Sequence, residues 1–393
     1  MLIIKTLFWV SFFILFYSYI GYGILLWIWI KLKRVNAKKQ NPALPFFEPP
    51  VSLIIATYNE QDILEAKIAN CFALNYPEDK LQLIFVADGS NDNTVNIIQS
   101  HPRITLYYEP GRAGKVAAIN RIMPLVTSPI VIFSDANTFL NTDCIKEIVK
   151  HYADEKVGAV AGEKKVVDIS GKENAAGAGE GLYWKYESYL KRLDSAFYSV
   201  VGAAGELFSV RTALFEPTGN DVLLDDFIIS LKIAKKGYRV VYEPLSFAAE
   251  APSHSMREEQ KRKIRISAGG FQSMVMLKDL LNIFTYGKLS FQYISHRVLR
   301  WAICPFLLPL MLICNILLYY YEAGSLYNYI LWAQCLFYGA ALIGWLFSLK
   351  NIKVKLLYVP YYFVFMNLAL YIGLARFYNK NQSVLWEKAK RKA

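Results

Sequence analysis

Carboxylates, amides and basic side chains recur in short clusters along an otherwise apolar chain. Thr57-Tyr58-Asn59-Glu60 is the first, Asp88-Gly89-Ser90 the second, Asp135-Ala136-Asn137 the third and Asp225-Asp226 the fourth. Gly111-Arg112-Ala113-Gly114-Lys115 lies between the second and the third. Each alone has a plain explanation, because Asp after a strand or at a helix start often only caps or turns the chain. Together they suit chemistry on a nucleotide diphosphate. Mg2+ or Mn2+ takes hard oxygen ligands, and Asp135 and Asn137, two residues apart, offer one carboxylate and one amide oxygen. Asp88 can accept hydrogen bonds from a base or ribose, and Arg112 and Lys115 at a helix start can neutralise phosphate beside free backbone N–H groups. Asp225 and Asp226 form an adjacent acidic pair at or just before a helix start, where the dipole alone also favours carboxylates. The glycine-rich segment is no ATP-type P-loop, because Gly111 and Gly114 are too close and Val116 stands where Ser or Thr is needed.

These clusters need strands to present them. Short apolar runs over 51–57, 81–87, 104–109, 129–134 and 157–162 predict five strands, and helices fit between most of them, the first over 62–74. Repeated βα units predict an α/β domain with a mostly parallel sheet and right-handed crossovers. Ligands in such sheets bind beyond the carboxyl ends of the strands, where the first three clusters fall.

The rest of the chain points to a membrane. Of 393 residues 54% are hydrophobic, and they concentrate at the two ends. Residues 6–30 carry no charge and are long enough to cross about 30 Å of hydrocarbon. Lys31, Lys33, Arg34, Lys38 and Lys39 follow, which predicts a retained anchor with residue 31 in the cytoplasm and the N-terminus outside. Three more apolar runs cover 301–321, 326–347 and 356–375. Four full spans would return the basic C-terminus to the outside, against its charge preference, so the run with Pro305 and Pro309 could instead be re-entrant. The expected organisation is a transmembrane helix at 1–30, a basic Pro-rich linker at 31–50, a cytosolic catalytic domain at 51–266, an amphipathic interface segment at 267–297, transmembrane helices at 298–378 and a basic tail at 379–393. The net charge of +12 sits on membrane flanks, which favours lipid head groups over nucleic acid. Five scattered cysteines and four scattered histidines argue against a disulfide framework or a zinc site.

The ordered set of TYNE, DGS, GRAGK with Asn120, DAN and LDDF resembles the family 2 glycosyltransferases of the GT-A fold, in particular membrane-embedded bacterial enzymes akin to cellulose and hyaluronan synthases. The similarity covers about residues 50–275 and takes in Gly202-Ala203-Ala204-Gly205-Glu206 and the 258–270 segment. It implies that Thr57, Tyr58, Glu60 and Asp88 line the uridine or ribose pocket, that Asp135 binds diphosphate through the metal, and that Asp226 is the general base of an inverting hexosyltransferase. Gly205 and Glu206 would lie on the acceptor side, while Gln260, Arg262 and Lys263 would contact pyrophosphate or gate the site. The implied partners are a nucleotide-sugar, a glycan or lipid-linked acceptor and membrane lipids, with a homo-oligomer or an export partner left open. The implied location is the inner or plasma membrane.

Two departures qualify the resemblance. Asn137 replaces the second acid of the metal motif, and Ile264 replaces the Trp of the Q-x-x-R-W motif of processive enzymes, with Lys263 at its Arg position. An aromatic platform is thus missing there, which favours addition of one sugar over polymerisation. Tyr183, Trp184, Tyr186 and Tyr189 could form an acceptor surface, although their spacing fits helix packing at least as well. A transporter with a nucleotide-binding domain, or a non-catalytic binding subunit, is the competing reading. Largely uncharged apolar runs speak against the first, and retention of Asp135 and Asp226 against the second.

Overall fold

The computed structural model describes residues 1–36, 47–167, 178–251, 256–350, 352, 354–381 and 383. Most of the Pro-rich linker and of the basic tail lie outside them. Among the described residues eight strands form one sheet: β1 (Val51–Thr57), β2 (Leu81–Asp88), β3 (Ile104–Glu109), β4 (Ile130–Asp135), β5 (Phe139–Leu140), β6 (Val157–Val166), β7 (Leu207–Arg211) and β8 (Arg239–Glu250). Their order is β3-β2-β1-β4-β7-β6-β8-β5. β1 pairs in parallel with β2 and β4, β2 with β3, and β6 with β8. β7 runs antiparallel between β4 and β6, and β5 is antiparallel to β8, so the sheet is mixed.

Helices cover both faces, so the first strands are apolar at nearly every position. Alternation by two sorts them. Ile54, Val86, Val131 and Phe133 pack into one core with α4 (Lys115–Ile122) and α7 (Asp225–Lys235). Leu53, Ile55, Phe85 and Ile132 face the other core with α2 (Gln61–Phe72) and α5 (Cys144–Val149). Burying that many Ile, Val, Leu and Phe side chains at about 1.5–3 kcal/mol each is the main force holding the sheet. α3 (Thr94–Gln99) lies between β2 and β3. The register aligns Ala56 with Asp135 and Thr57 with Ala87. Thr57, Asp88 and Asp135 therefore end three neighbouring strands at one sheet edge.

Among the described residues four helices are long and apolar enough to cross a membrane: α1 (Leu2–Lys33), α9 (Lys288–Tyr320), α10 (Ser325–Leu349) and α11 (Lys355–Tyr378). The second apolar span is longer than its apolar run suggests, because α9 starts at Lys288, inside the stretch read as interfacial, and runs continuously through Pro305 and Pro309. Pro305 directly follows a stretch of widened turns, where a missing N–H is better tolerated, and Pro309 lies inside the helix. Those widened turns are π-helical, at Tyr17–Gly21 in α1 and Ile294–Ile303 in α9.

Two further helices join the sheet domain to the apolar helices. α6 (Ala178–Phe197) carries Glu187 and Asp194, and α8 (Met256–Met276) lies along α11. Gly373 permits that approach, since a Cβ there would lie 2.4 Å from Ser267 Cβ. At the junction Asp194 accepts a 2.5 Å hydrogen bond from the Tyr22 hydroxyl and faces His296 Nδ1 at 2.6 Å. Glu187 holds Arg300 at 2.6 Å and Arg297 at 3.4 Å. All of these side chains are buried, and buried ion pairs specify geometry more than they add stability.

Candidate active site

The first three sequence clusters form one edge of the site, through backbone as much as side chain. Asn59 adopts a left-handed conformation (φ 52°) and its amide pairs with Asn91 in both directions, at 2.8 and 2.9 Å. The N–H of Glu60 donates to Thr94 Oγ1 at 2.9 Å. The loop after β1 is thereby fastened to the loop after β2. Asp88 is buried, and its Oδ2 accepts from the N–H groups of Ala113 (2.9 Å) and Gly114 (2.6 Å). Its main contact is thus with the glycine-rich loop. Gly89 is required beneath that loop: its φ is +71°, and a Cβ would come within 2.7 Å of the Arg112 backbone. The Arg112 guanidinium lies 3.6 Å above the Tyr58 ring centroid. A small cleft of about 50 Å³ opens here, lined by Thr57, Tyr58, Glu60, Asp88, Arg112 and Asn137 among others. Thr57 is turned into the sheet and donates to Val86 O at 3.2 Å.

Asp135 lines both this cleft and a larger cavity of about 470 Å³ that contains Asp226. Lys115 Nζ sits 2.6 Å from Asp135 Oδ1. Gly205 leaves room beside it, since a Cβ there would lie 3.4 Å from Asp226 Oδ2 and 3.6 Å from Lys115 Nζ. Asp135, Lys115 and Asp226 therefore meet at the junction of the two cavities. Burial, and then the adjacent Asp225 carboxylate, push Asp226 up to about 7 against the pull of Lys115. Burial favours neutral Lys115, but Asp135, Asp225 and Asp226 outweigh it and hold the ammonium above its ordinary range. Asp225 is buried at the start of α7, and its Oδ2 has no hydrogen-bond partner.

The α8 residues divide. Gln260 is exposed and lines neither cavity, which separates it from the donor contacts that the resemblance implies. Arg262 and Lys263 line the larger cavity but pair with acids: Arg262 with Glu259 (3.3 Å) and Glu250 (3.5 Å), Lys263 with Glu259 (3.4 Å). Arg265, which the sequence reading passed over, is the α8 cation on which Asp225, Asp135 and Asp226 all act; burial pulls it down against them. Glu206 pairs with Lys164, which also meets Glu250. Burial would raise the Glu206 carboxyl, but Lys164 and Arg262 hold it well below the usual range. Asn120 donates to Thr218 O at 2.8 Å and so braces α4. Tyr183, Trp184 and Tyr186 do line the larger cavity, together with Lys164, Lys191, Arg297 and Arg300, none of which carries a local sequence signal.

A small polar cleft beyond parallel strand ends, a larger cavity that holds Asp226, and long apolar helices beside them make up a domain of the GT-A fold joined to helices apolar enough to cross a membrane. Residues 52–218 match the model of glycosyl transferase family 2. A poly-beta-1,6-N-acetyl-D-glucosamine synthase of Staphylococcus aureus (strain MSSA476) is 26% identical over 241 residues, 59% of this chain and 57% of that protein. The chain thus matches little more than half the length of that relative. The Staphylococcus epidermidis protein of the same name is 25% identical over 285 residues, 69% of this chain and 67% of its own. A mannosyltransferase from Pyrobaculum calidifontis, solved in complex with GDP-Man and Mn2+, shares the fold with a TM-score of 0.67 and 23% identity over 96% of this chain and 100% of that one.

Proposed function

We propose that the protein is an inverting membrane glycosyltransferase. It moves a hexose-type sugar from a nucleotide-sugar, with UDP-sugars the first to test, to a hydroxyl of a glycan or lipid-linked acceptor in polysaccharide or glycolipid biosynthesis. The observation that carries this reading is the meeting of Asp226, Lys115 and Asp135 where a small polar cleft joins a large cavity. Asp226, with a pKa of about 7, is matched to taking a proton from an acceptor hydroxyl at neutral pH. The hydroxyl oxygen bonds to the anomeric carbon as the bond to the diphosphate breaks, and a single displacement inverts that centre. Lys115, which lines the small cleft, supplies positive charge beside the departing diphosphate.

A divalent cation fits the donor set. Asn137 Oδ1 is buried without a hydrogen-bond partner, and Asp135 commits Oδ1 to Lys115, leaving its other oxygen for a ligand. Among the described residues no group of three or more His, Cys, Asp or Glu could hold a metal, so Asp135 and Asn137 would share the ion with substrate phosphates and water. Bound Mg2+ or Mn2+ supplies charge neutralisation at the diphosphate. Lys31, Lys33 and Arg34 follow the first apolar run, a charge bias that supports a cytoplasmic catalytic domain. The test is transfer or hydrolysis with purified protein in vesicles, screened over labelled UDP- and GDP-sugars with and without Mg2+ or Mn2+. Metal-stimulated turnover of one donor supports the reading, and absence of turnover with every donor refutes it.

A further inference from the structure

The wall of the larger cavity opposite Asp226 is built around one indole. The ammonium groups of Lys263, Lys164 and Lys191 lie 5.3, 5.5 and 5.9 Å from the Trp184 ring centroid. Lys164 is neutralised by Glu206 and Glu250, and Lys263 meets Glu259. Lys191 differs. It is 4% exposed and makes no hydrogen bond and no ion pair with any described residue. Its other neighbour is the Tyr242 ring, at 5.7 Å. Glu163 feels its charge, but that carboxylate accepts from Ser188 (2.7 Å) and from the Tyr242 hydroxyl, and burial pushes it up toward its neutral form. A buried ammonium with no carboxylate within ion-pair distance is costly unless a ligand supplies an anion.

Donor phosphate is not the natural candidate. The small cleft on the far side of Asp135 already offers Arg112, Lys115 and the N-terminus of α4. Away from Trp184 the cavity runs into the membrane helices. Val359, Phe363, Met366 and Leu370 line it from one face of α11, a stripe of about 16 Å at 1.5 Å per residue. These four side chains suit a hydrocarbon chain; of the polar groups that α11 also brings to the cavity, Tyr362 and Asn367, the Asn367 amide is already engaged with Tyr19 and the Phe363 carbonyl. The two π-helical turns also face the cavity, through Tyr19 and through Arg297, Arg300 and Trp301.

We propose that this cavity is the acceptor site and that its acceptor is a lipid-linked sugar phosphate. The sugar stacks on Trp184, its phosphate meets Lys191, and the lipid chain lies along α11. This rests on the assignment of Asp226 as base. A sugar hydroxyl of the lipid-linked acceptor loses its proton to Asp226 and bonds to the donor's anomeric carbon, and the nucleoside diphosphate leaves. Trp184 then supplies from α6 the aromatic face that Ile264 does not.

The experiment compares five acceptors with full-length protein in phosphatidylcholine vesicles: polyprenyl diphosphate N-acetylglucosamine, polyprenyl phosphate N-acetylglucosamine, N-acetylglucosamine 1-phosphate, an alkyl N-acetylglucosaminide and free N-acetylglucosamine oligomers. One or both lipid phosphates should stimulate donor turnover about tenfold over the uncharged acceptors, a scale set by one charge-assisted contact, and label should partition into organic solvent. Preference between the two lipids identifies monophosphate or diphosphate linkage. Lys191→Met should raise the acceptor KM about tenfold with a smaller change in kcat, and Lys191→Arg should restore it. Nucleotide affinity serves as the check that each variant is folded, and direct binding of labelled polyprenyl phosphate gives a second readout if Lys191→Met does not fold. Equal use of the alkyl glycoside or the free oligomers, strong use of the soluble sugar phosphate without the lipid, or an unchanged acceptor KM in Lys191→Met would overturn the proposal while leaving the glycosyltransferase reading intact. No turnover of any donor in any arm would overturn both.

Discussion

The cleft beside Asp88 and the cavity beside Trp184 share Asp135 but are built differently. The cleft is made of loops that follow three adjacent parallel strands. Its side chains hold the backbone of neighbouring loops, as Asp88 holds Ala113 and Gly114 and Asn59 holds Asn91. The cavity is built largely by helices far apart in sequence, α1, α6, α7, α8, α9 and α11, and its charges pair within and between elements, as Arg300 of α9 does with Glu187 of α6 and Arg262 of α8 with Glu250 of β8. Pre-formed polar loops give a fixed frame for a common ligand. A cavity assembled by helix packing can be changed one wall residue at a time, so specificity belongs on that side.

The comparison can be broken first at the shared centre. Asp226→Asn should reduce transfer by about 10²–10⁴-fold while nucleotide affinity, measured by titration with labelled UDP or GDP, stays near that of the parent. Full activity in that variant would remove Asp226 as base. Next comes the frame of the cleft. Gly89→Ala places a Cβ against the Arg112 backbone at φ +71°, and strain of about 1–3 kcal/mol should weaken nucleotide binding about tenfold or more without altering the affinity for acceptor. Loss of acceptor binding instead would show that the two sites are not separable.

Smaller effects sharpen the picture. Asn137→Asp should lower the half-saturating Mn2+ concentration several-fold, roughly the gain expected when an amide ligand becomes a carboxylate, and Asn137→Ala should raise it. The smallest expected change is in pH dependence. Asp226 is raised to about 7, so its reactive carboxylate form is lost as pH falls through that value, and the rate should fall with it. The same shift means that the fold favours the protonated group, a contribution present at low pH and lost as pH rises through about 7. Asp225→Asn removes the second cause of the shift and should move the rate profile toward acid pH.

Much of the cleft was legible in the chain. Short continuous apolar runs in β1, β2 and β4 end in Thr57, Asp88 and Asp135, and parallel pairing puts those ends side by side. The five expected strands appear within a residue or a few of their expected limits, and the LDDF segment opens α7 as expected. β7 gave no clear signal. It is five residues long, and its antiparallel place between β4 and β6 depends on long-range pairing. Gln260 was favoured through a motif spacing, yet helix phase turns it to solvent and leaves Arg265 nearer the acids.

Local sequence, then, determined the strands, the four apolar spans and the polar residues at the strand ends, because period, length and turn chemistry act over a few neighbours. Tertiary structure alone decided that Lys164, Lys191 and Lys263 surround Trp184, that Arg297 and Arg300 meet Glu187, and that Asp226 is raised to about 7. Burial arises only when distant elements pack together: Arg297 and Arg300 lie more than a hundred residues from Glu187, and even Lys191, on the same helix as Trp184, is buried by packing that no short window of the chain contains.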